Sequence, residues 1–128
     1  MKSSTLTNEL FHLEHGQWKR ELLFWEDELS FFNNRLGEIV GKWTDKEVLA
    51  KLEQFQNQFI RQAEVIDTLQ HDIRIHEDEM ATHLKKAEDA LGVEHSKLHK
   101  AFQERMKTQR KIYKDLKKEF FKYLSKYM

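Results

Sequence analysis

Apolar side chains return along this chain at alternating intervals of four and three, and no proline interrupts them in 128 residues. That rhythm belongs to α-helices packed along narrow seams. A first stripe runs Phe11, His15, Trp18, Leu22, Trp25, Leu29, Phe32, Leu36 and Ile39 without a slip. A second runs Val48, Leu52, Phe55, Phe59, Gln62, Ile66, Leu69, Ile73, His76, Met80, His83, Ala87 and Ala90. A third runs His95, His99, Phe102, Met106, Gln109, Tyr113, Leu116, Phe120, Tyr123 and Tyr127. With four glycines and no proline, the chain lacks the turn residues that an all-β or βαβ fold requires.

Phase breaks between the stripes divide the chain. The first stripe would continue through Trp43 to residue 46, whereas the second begins at Val48. Thr44 and Glu47 have the spacing of a capping box, and Asp45 and Glu47 suit the positive end of a helix dipole. Around Gly92 the phase slips by one residue, which fits a tight turn with Gly92 as C-terminal cap or a stutter in one very long helix. A turn is preferred, because an unbroken helix of roughly 100 Å at ~1.5 Å per residue could bury its face only against another chain. The expected product is a single domain over residues 1–128 with helices at about 5–40, 45–90 and 94–127. Its fold class is all-α, an elongated antiparallel three-helix bundle (up-down-up) with coiled-coil-like seams. In architecture alone it is similar to spectrin-like three-helix bundles, and no residue is carried across from them.

Composition narrows the function classes. The absence of cysteine removes disulfides and thiolate metal sites. The N-terminus lacks the apolar run of a signal peptide, and no stretch approaches the ~18 apolar residues that span a bilayer, so a cytoplasmic protein is expected. Net charge is zero but polarised: residues 1–96 balance to −8 and residues 97–128 to +8. The basic third helix, with Lys114, Lys117 and Lys118, suits nucleic acid or an anionic membrane. It suits equally well the pairing of those lysines with Glu14, Glu21, Glu26 and Glu28 of the first helix, which explains the split without an external ligand.

Polar residues on the seams are the main hint of chemistry. Levelling the helices on turns near residues 42 and 92 puts His76 opposite roughly residues 9–12 and 104–108, and His83 opposite roughly 99–102. Glu9, His12, His15, His76, Glu79, Met80, His83, His99 and Glu104 then collect at one end of the bundle, while the other end is apolar. His12, His76, Glu79, Met80, His83 and His99 are the candidate metal ligands, offering imidazole, thioether and carboxylate to Zn, Cu, Fe or haem. The di-iron pattern of paired Glu-x-x-His motifs is incomplete, and His-Glu-x-x-His is absent. Without a ligand, the same residues read as a register-setting polar layer, or as a pH-responsive one.

Aromatic residues supply the other surface. Leu10, Phe24 and Phe31 widen the apolar face of the first helix beyond a two-stranded seam, and an uncovered strip of Trp18 and Trp25, with Phe24 and Phe31 beside it, would make a partner or dimer interface. No nucleophile elbow, phosphate loop or paired-carboxylate constellation occurs. The leading expectation is therefore a non-enzymatic interaction or scaffold protein, self-associating or bound to a protein partner, with no cofactor. A metal- or haem-binding bundle and a nucleic-acid or membrane binder are the alternatives.

Overall fold

Seam spacing and the lack of helix breakers place nearly the whole chain in three helices: α1 (Lys2–Lys42), α2 (Lys46–Ala87) and α3 (Val93–Tyr127). The computed structural model describes the backbone of residues 2–87 and 93–128, and the side chains of residues 9–82 and 94–128. The fold is an all-α three-helix bundle, with no strand among the described residues. Rising numbers on α1 meet falling numbers on α2, as at Phe32 with Phe59 and His15 with His76, so the two run antiparallel. At 42 residues, α2 is about 63 Å long. None of the described helices is long and apolar enough to cross a membrane.

The turn between α1 and α2 differs in detail from expectation. The Asp45 carboxylate caps α2, accepting the backbone N–H of Glu47 at 2.8 Å and of Val48 at 3.2 Å. Thr44 stays outside because α2 begins at Lys46, which makes Asp45 the residue before the first turn; its charge also suits the dipole. At its other end α1 reaches back to Lys2, a few residues before the expected start near residue 5. Gly92 lies outside the described residues.

The three stripes form the core. Phe32, Phe55, Phe59 and Phe120 interlock at the end near the α1–α2 turn, with Phe59 and Phe120 edge to face at 4.8 Å. Each ring so buried contributes on the order of 2–3 kcal/mol. Polar tips are tied down at the same end: the Tyr123 hydroxyl donates to the Val48 carbonyl at 2.8 Å and the Trp43 indole N–H to the Tyr127 carbonyl at 2.9 Å. Midway along the bundle the buried Gln109 amide donates to the buried Gln62 side-chain carbonyl.

Charge pairing ties basic α3 to its acidic neighbours. Arg110 meets Glu21 at 2.9 Å, Arg105 meets Asp72 at 2.9 Å, and Lys117 meets Glu28 at 2.6 Å. The Tyr113 hydroxyl also donates to Glu28, at 2.9 Å. Lys114 and Lys118 remain exposed. Glu26 accepts from Gln70 of α2, and Glu14 from α3 residues other than lysine.

The helices sit about a turn away from the expected level. Gln62 faces Gln109 and Asp72 faces Arg105, pairings centred several residues before Gly92. His76 consequently meets His15 and His99, rather than residues 9–12 and 104–108.

Candidate metal centre

Each helix contributes one imidazole to a single level of the seam: His15 from α1, His76 from α2 and His99 from α3. All three are buried, at 1%, 2% and 1% exposure respectively. One ring nitrogen from each lies within 4.8 Å of the others. Their ring centroids stand 5.0 Å apart for His15 and His76, 4.9 Å for His15 and His99, and 6.0 Å for His76 and His99. A tetrahedral ion with M–N bonds of ~2.0–2.1 Å separates imidazole centroids by about 5 Å.

Carboxylates stand behind the outer nitrogens of two of these rings. His99 donates from Nε2 to Glu14 Oε1 at 2.5 Å, and the Gln103 amide donates to the same oxygen at 2.8 Å. Burial pushes Glu14 up, but the hydrogen bonds from Gln103 and His99 and the nearby imidazoles outweigh it and hold the carboxyl below its usual range. An ionised carboxylate only accepts, so the His99 proton sits on Nε2 and its Nδ1 lone pair faces inward. That Nδ1 lies 3.0 Å from His15 Nε2. On the far side of the His15 ring, Nδ1 stands 3.5 Å from Glu77 Oε2, and Lys19 pairs with the other oxygen of Glu77. Each of these imidazoles thus has a carboxylate behind it, the arrangement by which proteins orient histidine ligands.

His76 has no such support. Neither of its ring nitrogens has a hydrogen-bond partner among the described residues, although both are buried. An unmet buried donor or acceptor costs about 1–3 kcal/mol.

Burial also sets the charge state. Desolvation, then the neighbouring imidazoles, push His15 and His76 down to about 4, against a smaller opposing pull from Glu77. His99 is lowered by burial, with Glu14 opposing. At neutral pH the rings are therefore uncharged, the form in which imidazole binds metal. Aromatic walls fix their planes: Phe11 stacks on His99 at 3.7 Å, Trp18 at 5.0 Å on the same ring, and Phe102 lies 5.0 Å from His76. A shallow cleft between α2 and α3, lined by Asp72, Glu79 and Arg105 among others, reaches His76 from solvent.

Of the expected ligands, His76 and His99 are central. His12 is 83% exposed, with its Nδ1 3.7 Å from Glu77. Glu79 is exposed on the cleft wall, and Met80 is buried one helical turn beyond His76. The His83 side chain lies outside the described residues. His15, at the same end of the bundle but outside the expected ligand set, takes the third place. The signal for it was partial: His15, like His76 and His99, is a histidine on the seam of its helix, but the level that brings these three together comes from the packing.

Of the four rings expected at a partner surface, Trp18 and Trp25 are buried, because His99 and Tyr113 of α3 pack against them. Phe24 and Phe31 are 57% and 51% exposed. Phe121 of α3 joins them, with Lys117 Nζ 5.8 Å from the centroids of both Phe24 and Phe121.

No protein-family model, curated protein or solved structure matches the chain.

Proposed function

We propose that this protein is a transition-metal-binding helical bundle in which His15, His76 and His99 ligate one ion. What carries the proposal is the inward convergence of three buried imidazoles, two of them backed by Glu14 and Glu77 and the third unpartnered among the described residues. An all-nitrogen donor set suits Zn²⁺, Co²⁺, Ni²⁺ or copper, and disfavours Mg²⁺ and Ca²⁺, which take oxygen ligands. Binding ties all three helices together at the end where the core is polar.

The test is thermal unfolding of the chelator-treated protein with and without added ion. Zn²⁺ at about 100 times its Kd should stabilise by about 2.7 kcal/mol. That corresponds to a Tm rise on the order of 10 °C. Mg²⁺ should leave Tm unchanged, and His15→Ala or His76→Ala should remove the Zn²⁺ response. An unchanged Tm in Zn²⁺, Co²⁺, Ni²⁺ and Cu²⁺ alike would sink the proposal.

A second reading, a protein-docking surface, is favoured by Phe24, Phe31 and Phe121, which leave an aromatic strip on the α1–α3 face. The two readings concern different faces and are independent.

A further inference from the structure

Three imidazoles leave a tetrahedral ion one ligand short, and what fills that place decides the kind of centre. Structural zinc sites are closed by a fourth side chain, whereas catalytic ones keep a water there. We propose, building on the metal-binding reading above, that His95 is the fourth ligand and that the centre is a closed four-imidazole site.

His95 precedes His99 by four residues on α3, so both rings project from one face of that helix. It is half-buried, and its ring centroid lies 6.3 Å from that of His76, with the planes inclined by 33°. That separation is close to the 6.0 Å between His76 and His99, which already belong to the cluster. His76 thus has two α3 imidazoles beside it at similar distances, and an ion held by its ring lies next to His95 as well. Several other neighbours are poorer donors. Phe11, Trp18 and Phe102 wall the rings and offer no lone pair. Glu14 and Glu77 are engaged behind His99 and His15, by Gln103 and Lys19 respectively. Exposed Glu79 lies on the cleft wall, in water.

A closed centre has a definite chemical meaning. With four neutral imidazoles the ion keeps its full charge and has no site for water or substrate. It would then crosslink helices, or pass electrons where the ion is copper, and would not hydrolyse anything.

Co²⁺ is the probe, because its visible absorption reports both ligand number and exchange. The full chain loaded with Co²⁺ should give the intense bands of a four-coordinate nitrogen site, unmoved by added azide or imidazole. His95→Ala should bind Co²⁺ at least about tenfold more weakly, since losing a ligand costs no less than losing an outer-shell partner. Its bands should shift on adding imidazole, which restores the fourth nitrogen, and His95→Gln should weaken binding likewise. Circular dichroism of the metal-free variants should match the parent. If Co²⁺ binds the parent and both variants equally, or if azide shifts the parent spectrum, His95 is not a ligand while the three-histidine site stands. If the parent binds no Co²⁺, the metal-binding reading fails and this inference with it.

Discussion

His15 and His99 face each other nitrogen to nitrogen at 3.0 Å across the α1–α3 interface. Two lone pairs cannot meet at that distance, so one nitrogen carries a proton. Glu14 holds the His99 proton on Nε2, leaving the shared proton on His15 Nε2. In the metal-free protein His15 is therefore the Nε2–H tautomer and donates to His99. Ligation at Nε2 requires the His15 proton to move to Nδ1, where the Glu77 carboxylate waits. Long-range nitrogen–proton NMR should show His15 protonated at Nε2 without metal and at Nδ1 with Zn²⁺. His99 should stay protonated at Nε2 throughout, and finding it protonated at Nδ1 would contradict this picture.

Acid should loosen the metal-free bundle before its carboxylates titrate. His15 and His76 are held down to about 4 in the folded state, against an ordinary value of 6.5. Between those values the unfolded chain takes up protons that the folded chain refuses. Stability is thus highest above about pH 6.5, falls as pH drops towards 4, and the contribution levels off below that. The loss is on the order of 3 kcal/mol for each ring. Urea midpoints read between about pH 5 and 7.5, above most carboxylate titration, should fall with acidity. A flat profile across that range would mean the imidazoles are not buried as described.

Removing His76 should have opposite effects on stability and on binding. Leucine at this position relieves two buried ring nitrogens that lack partners among the described residues, and it fills a similar volume between His15 and Phe102. Metal-free His76→Leu should be more stable than its parent by about 1–3 kcal/mol. The same variant should lose the stabilisation by Zn²⁺. A destabilised His76→Leu would indicate that the parent ring has a partner.

The exposed rings give a separate test of the docking strip. Phe24→Ser with Phe31→Ser should change stability by no more than about 0.5 kcal/mol per site, as expected of side chains that are mostly in water. If the strip joins two copies, light scattering should report a parent mass above that of one chain and a variant mass equal to it. A parent that stays monomeric would remove self-association through this face.

The architecture was largely legible, because each stripe names its own buried face. Leu22, Ile39, Ile66, Ile73, Met106 and Phe120 are all seam positions and are all buried. The site was legible only in part. His76 and His99 stood out as polar residues in apolar places, and so did His15, yet choosing the trio depended on the relative level of three helices. A level error of one turn is about 5.4 Å, comparable to the spacing of the rings themselves. Levelling on Gly92 paired His99 with His83, where the packing of Gln62 on Gln109 and Asp72 on Arg105 pairs it with His76. Trp18 and Trp25 misled for a different reason: spacing reveals that a helix has a broad apolar face, but not how much of it α3 covers.

The Gln62–Gln109 bond is the only direct side-chain hydrogen bond between two buried glutamines among the described residues, and it lies far from the imidazoles. Sliding α3 by one heptad would part the two amides and leave both against hydrocarbon, at about 1–3 kcal/mol each. The same slide would carry His99 about 10 Å from His15. This amide pair therefore works as a gauge pin: it sets the longitudinal alignment of α2 and α3 so that nitrogens some 14 positions further along α2 arrive at a common point. Substitutions at Gln62 or Gln109 can blur the histidine geometry without touching a histidine.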